Sequence, residues 1–186
     1  PVISSAASDV YKRQNMNSPF ASSVSSAIAC VKSVLTDPDI PFNEGAERAI
    51  NVKIPYGSIL NPRPRAPVRA RLLPSYRVVN AVMKALGEAV PERVIAPGFD
   101  TTSVCCLSHK LANGYNIYLE IFGGGFGAGP NYDGCDAVDS MLSNCSNIPI
   151  ESMESDYPFF RVEDYSLRSS SGCLLYTSPS PRDVCS

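Results

Sequence analysis

Between Tyr115 and Asp136 the chain reads Y-N-I-Y-L-E-I-F, then G-G-G-F-G-A-G-P, then N-Y-D-G-C-D, and no other stretch limits the fold as much. Ordering Gly123, Gly124, Gly125, Gly127 and Gly129 costs more backbone entropy than ordering any other residue type. Such a run therefore serves where another backbone, or a ligand, must come close. Ahead of it, Tyr115, Ile117, Leu119 and Ile121 alternate with Asn116, Tyr118, Glu120 and Phe122. That period of two predicts a strand that buries its apolar set on one face and delivers the chain into glycine. Asn131, Asp133 and Asp136 follow, placed where polar chemistry would meet the glycine backbone.

A chain of 186 residues, 44% hydrophobic and 18% charged, has the composition of one ordinary globular domain. Its formal charge of −2 provides no basic field, so neither nucleic acid nor an anionic membrane surface is an expected partner. No apolar run approaches the ~18 residues of a membrane span and no signal-peptide pattern stands out, which makes the cytoplasm the default expectation. The seven cysteines form no C-x-x-C pair and are odd in number. Reduced, mostly buried thiols are therefore expected in place of a disulfide framework. With a single histidine the chain also lacks the ligand spacing of a structural zinc site.

Both ends look foreign to the rest. Ser5 to Gln14 reads S-A-A-S-D-V-Y-K-R-Q and Cys173 to Asp183 reads C-L-L-Y-T-S-P-S-P-R-D, each similar to the conceptual translation of an oligonucleotide adapter from transposase-based sequencing. The expectation is a native stretch over residues 15–172, internal to a longer gene, flanked by non-native segments at 1–14 and 173–186.

Along the chain, Ser18 suits an N-cap and Pro19 a first helical turn, and Phe20, Val24, Ile28, Val31 and Leu35 recur at helical spacing. A turn-rich connector follows through Pro38, Pro41 and Gly45, and Ile50, Val52 and Ile54 predict a short strand. Asn61 to Arg71 carries four arginines and three prolines. It fits an extended connector with solvated arginines, or a site for a carboxylate or phosphate. Ser75 can cap a second helix with a stripe of Val78, Val79, Val82, Met83, Leu86 and Val90, weakened by Gly87 and closed by Pro91. Val94 to Ala96 and Thr102 to Leu107 predict strands around Pro97-Gly98, and Asn113-Gly114 predicts a hairpin turn. His109, just before that turn, reads as a surface residue, with general-base chemistry as the sharper alternative. A last helix is expected through Ala137, Val138, Met141 and Leu142, capped by Asp136.

Gly123, Gly125 and Ala128 fit a loose G-x-G-x-x-A spacing, but a dinucleotide loop must open directly into a helix, and Pro130 and Asn131 intervene. A P-loop needs G-K-[S/T], and no lysine is near. The run is expected to be a tight structural crossing or a backbone loop facing substrate. Asp133 and Asp136 could also ligate a hard cation.

Five segments in order resemble the hydantoinase B/oxoprolinase family, which includes N-methylhydantoinase, 5-oxoprolinase and acetone carboxylase-type subunits. They are N-E-G-A-E-R-A-I-N-V at Asn43 to Val52, P-Y-G-S-I-L-N-P-R-P-R-A-P-V at Pro55 to Val68, and the glycine segment at Gly123 to Asp136. N-I-P-I-E-S-M-E at Asn147 to Glu154 and Y-S-L-R-S-S-S-G at Tyr165 to Gly172 complete the series. After this ending the family pattern continues into D-S-G-G-x-G, whereas here Ser170 stands at the acidic position and Cys173 interrupts the glycines.

The resemblance implies ATP-dependent opening of a cyclic amide such as a hydantoin or 5-oxoproline, in a hetero-oligomer with a hydantoinase A-type ATPase subunit or domain. It implies a substrate-side wall made by Gly123, Gly124, Gly125, Gly127, Asp133 and Asp136. ATP and a divalent metal belong to the complete enzyme through the partner and upstream residues, with no metal ligands and no catalytic group assigned within this segment. A ketone (acetone or acetophenone) carboxylase subunit and a non-catalytic scaffold domain are the alternatives. The expected fold class is α+β, a mixed or antiparallel sheet of five or more strands with about three helices, an incomplete part of a larger multi-segment fold.

Overall fold

The structure, a computed structural model, describes residues 13–41, 43–99, 103–139, 141–143, 145–146 and 148–166. The two adapter-like ends fall almost wholly outside these residues, as does the last family-like segment from residue 167 onward. Four helices, α1 (Phe20–Leu35), α2 (Glu44–Glu47), α3 (Leu72–Leu86) and α4 (Ile150–Asp156), accompany one antiparallel pair, β1 (Ser103–Leu111) and β2 (Gly114–Phe122). This is the α+β class read from the sequence, with two strands in its sheet among the described residues.

The main core lies between α1 and α3, where Ala27, Cys30 and Val34 meet Val79, Val82, Met83 and Leu86. Each large apolar side chain buried there contributes on the order of 2 kcal/mol. The α3 stripe is the one the spacing predicts. That of α1 is met in part: Ile28 is buried and Val31 packs on the core, but the inward face is rotated toward Ser23, Ser26, Ala27 and Cys30, and Phe20 and Leu35 are 47% and 44% exposed. Small side chains let the two helix backbones approach, and the Cys30 thiol donates to Val79 O across the contact at 3.5 Å. Burial pushes that thiol up to about 11, against a weaker opposing hydrogen bond from the Met83 backbone. Of the described cysteines only Cys30 is buried; Cys105 is half-buried and Cys106, Cys135 and Cys145 are exposed, all of them reduced. The expectation of mostly buried thiols therefore holds for one position, because the others lie on the hairpin and in loops.

Neither predicted serine cap forms. Pro19 stands at the N-cap of α1 without a side-chain bond, and Ser75 lies inside α3, which starts at Leu72 with Pro74 in its first turn. Ser18 and Ser75 are instead buried against each other, Oγ to Oγ at 3.4 Å. The same entry strand is stitched to the arginine-proline segment: Ala70 N donates to Asn15 O at 2.7 Å, Asn17 Nδ2 to Pro67 O at 2.9 Å, and Ser18 N to Ile59 O at 2.8 Å. Arg63, Arg65, Arg69 and Arg71 thus ride on an anchored backbone with their side chains exposed. Ile50 to Ile54 joins no ladder, and Asn43 caps the one turn of α2 through Ala46 N at 3.0 Å.

The hairpin joins β1 and β2 by a two-residue loop, Ala112-Asn113, with Leu111 paired to Gly114 at φ +138°. The turn therefore sits one residue earlier than the Asn-Gly pair suggests. Its burial is also the reverse of the expectation. Tyr118 and Glu120 are buried, whereas Tyr115, Ile117, Leu119 and Ile121 are exposed. Covering the inner face are α4 and the aromatic residues after it: Tyr118 packs on Tyr157 and Phe160 at 5.1 and 4.7 Å between ring centroids, and Asn116 Nδ2 donates to Asp156 O at 3.2 Å.

Candidate functional site

Past the open end of the hairpin its two strands keep pairing in irregular form. Phe99 N donates to Gly125 O and Ala96 N to Ala128 O, both at 2.9 Å, with the register moved by one residue relative to β1 and β2. The glycine segment then folds back on itself through Pro130-Asn131, with Gly129 N donating to Tyr132 O at 3.0 Å and Phe126 N to Cys135 O at 2.9 Å. Residues 125–129 are thus the middle of three antiparallel backbones, 96–99 on one side and 132–136 on the other.

Two positions explain the glycines. Gly125 has φ +143°, and a Cβ there would come within 2.7 Å of Cys135 O. At Gly127, which is buried, a Cβ would fall on the Ala96 carbonyl and lie 2.8 Å from Pro97 O. The run is a tight crossing, one of the two alternatives open from the sequence. Gly123 and Gly124 lie exposed at its entrance, beside the Asp139 backbone and the Phe99 ring.

One side of the crossing also forms the wall of a shallow cleft. Gly125 and Phe126 face Val79, Asn80 and Met83 of α3, with Phe99 and Met141 at the edges. The cleft is apolar apart from the Asn80 amide and the crossing backbone, and its volume of about 20 Å³ admits a molecule the size of water. Asn80 and Phe99 escaped the sequence reading, and Met141 entered it only as a helix residue. Only the neighbouring Pro97-Gly98 signalled a bend there.

Asp133 and Asp136 are exposed on the returning strand. No helix begins at Asp136: it pairs with Gly125 across the crossing, and Ala137 takes a left-handed φ of +53° that breaks the predicted helix. Among the described residues no three His, Cys, Asp or Glu side chains converge as metal ligands, so the residues here do not fit a divalent metal. They do not fit an ATP phosphate cradle either, because the amides of Phe126 and Gly129 are taken up by Cys135 and Tyr132 and no helix opens from the run. His109 is exposed and stacks on Phe159 at 5.4 Å, nearly parallel, a ring contact at the hairpin tip and not an acid-base pair.

Among the described residues Glu120 is a buried carboxyl group. Its carboxylate accepts from the Tyr118 hydroxyl, which also lies 2.9 Å from Met153 Sδ. Burial pushes the Glu120 carboxyl above its ordinary range, and a backbone hydrogen bond from Ile148 pulls weakly the other way. A raised carboxyl binds its proton more tightly when folded, so the stability it confers is full below the unfolded carboxylate pKa of about 4.3 and is lost as pH rises through the folded value. Glu120→Gln keeps an acceptor for Tyr118 and removes the ionisation. The melting temperature of the variant relative to the parent is therefore expected to rise between about pH 4 and pH 7, and a flat difference across that range would refute the assignment.

The cleft thus has one wall of main chain at Gly125 and Phe126 and one of α3 side chains. Residues 4–173 match the model of the Hydantoinase B/oxoprolinase family, and the chain belongs to that family. It is 37% identical over 158 residues to a protein named as the B subunit of a D-/L-hydantoinase in Pseudomonas sp. (strain NS671), an alignment covering 82% of this chain and 26% of that protein. With the 5-oxoprolinase of Dictyostelium discoideum it shares 32% identity over 160 residues, 85% of this chain and 12% of the relative. The beta subunit of the caprolactamase of Pseudomonas jessenii is 30% identical over 140 residues, 71% and 24% of the two chains. The chain thus spans about a quarter or less of the length of these relatives. No solved structure is significantly similar to it. No helix among the described residues is long and apolar enough to cross a membrane.

Proposed function

We propose that this chain is the substrate-side scaffold of a cytoplasmic subunit that hydrolyses a cyclic amide of the hydantoin or 5-oxoproline type with ATP, in a hetero-oligomer with a hydantoinase A-type ATPase subunit. The observation that carries it is family membership over residues 4–173. The relatives' names point the same way: hydantoin, 5-oxoproline and caprolactam are all ring amides, and two of the relatives are named as subunits. A ring amide is flat and polar on one edge, which suits apolar walls beside a backbone carrying carbonyl and amide dipoles. Of the glycines Gly125 lies on that wall, and Gly123, Gly124 and Gly127, with the exposed carboxylates of Asp133 and Asp136, are assigned to the substrate side of the complete enzyme. An unactivated lactam is a poor electrophile, so ATP is needed. The activation is assigned to the ATPase partner.

The test is an assay of the full-length gene product with its ATPase partner on 5-oxoproline, hydantoins, and acetone with bicarbonate. Ring opening coupled to ADP formation is the expected result; carboxylation of acetone, or no turnover of any of the three, would overturn the reading. In that assembly Asp136→Asn, at an exposed position, is expected to leave the melting temperature unchanged while raising KM about tenfold, the worth of one charged hydrogen bond.

A further inference from the structure

Among the described residues the hairpin has one covered face and one bare one. On the bare side the antiparallel register sets Val104 across from Ile121, Cys106 across from Leu119, and Ser108 across from Ile117, with a charge only at the tip, where Lys110 faces Tyr115. Val104, Ile117, Leu119 and Ile121 are 53%, 56%, 46% and 37% exposed. Water selects polar residues on an open strand face, and a two-stranded ribbon covered on one side only is marginal by itself. The charge-free centre also separates this face from surfaces that meet a dissociable partner, which are about as polar as the rest of a protein; it has the composition of a domain core cut in half.

We propose that this face is an internal interface of the longer subunit, covered by another segment of the same polypeptide laid across Val104, Cys106, Ile117, Leu119 and Ile121 as a second layer. The length of the relatives supports this occupant. The hydantoinase and caprolactamase subunits aligned above each hold roughly three quarters of their sequence outside the matched region, enough chain to supply the missing layer. The inference rests on the proposal that the chain is a segment of such a subunit, but not on which amide it cleaves.

A photoreactive phenylalanine analogue placed at the position aligned with Leu119 in the full-length Pseudomonas hydantoinase B protein tests it. A mixture of heavy-isotope and ordinary protein distinguishes links within one chain from links between copies, and the experiment is run with and without the ATPase partner. The expected result is a link to a peptide of the same chain lying outside the aligned region, present without the partner. Links between two copies, links formed only to the partner subunit, or a side chain that reacts with solvent alone would each overturn the proposal. In the 186-residue chain the same probe at Leu119 is expected to link only to its neighbours on the ribbon, Cys106 among them, and a link to a residue of that chain outside the hairpin would equally overturn it. Because the readout is a crosslink, a protein that forms the intrachain link yet opens no ring amide sinks the proposed activity and leaves the interface standing.

Discussion

Gly127→Ala is expected to lower the melting temperature of the chain by about 10 °C, corresponding to a loss of about 3 kcal/mol. The figure sits at the upper end for overpacking because of what the added methyl would meet. Its neighbours are the Ala96 carbonyl and Pro97 O, which are backbone atoms in a segment held by the Ala96 to Ala128 and Phe99 to Gly125 hydrogen bonds. No rotamer change relieves that clash; the 96–99 strand has to move away and give up both bonds. Gly87→Ala provides the control. Gly87 ends α3 at φ −60°, ψ −20°, where alanine is at ease, and its nearest side-chain neighbour is a Val94 methyl at 3.3 Å that can yield. That variant is expected to change stability by less than about 1 kcal/mol. Thermal unfolding followed by circular dichroism reads both, and an unchanged Gly127→Ala would mean that the crossing is not packed as described.

Met83→Ala carries the second large effect, a loss of about 3 kcal/mol. Met83 is 7% exposed, belongs to the α1–α3 core, and also forms the floor of the cleft beneath Phe126 and Gly125. Truncation removes three heavy atoms from a contact between helices and leaves a void that the rigid glycine crossing cannot collapse to fill. Phe20→Ala, on the exposed side of α1, is expected to cost less than about 1 kcal/mol although a phenylalanine is the larger side chain. Urea unfolding of the two variants checks the contrast, and equal losses would contradict the rotated burial of α1.

That contrast also marks how far the sequence could be read. The α3 stripe was legible because Val79, Val82, Met83 and Leu86 are both apolar and inward, so pattern and packing agree. In α1 they agree at Ile28 and Val31 and part at the ends. The pattern follows the large residues Phe20 and Leu35, whereas close helix contact selects Ser23, Ala27 and Cys30, whose small size carries little hydrophobic signal. The hairpin was legible in position but not in orientation: Asn116 and Glu120 read as outward, yet Asp156 O and the Tyr118 hydroxyl satisfy them inside. Those partners lie on β2 itself and far along the chain, beyond any local window. The helix expected at Asp136 gave way to pairing with Gly125, and α4 was missed because only Ile150 and Met153 supply apolar residues at helical spacing. For the cleft, the glycines were visible, while Asn80 and Phe99 entered only through tertiary packing.

The stepped continuation of the hairpin has a kinetic consequence. Ala96 and Gly127 are far apart in sequence, and joining them unaided would demand closure of a long, entropically costly loop. Once Ala112-Asn113 turns and β1 zips against β2, however, the strand ends already stand opposite each other at Ser103 and Phe122. Phe99 then needs only a short search to reach Gly125. The long-range crossing is thereby converted into a local event on the microsecond scale of ribbon formation, and the cleft wall can be assembled early, before the helices have docked.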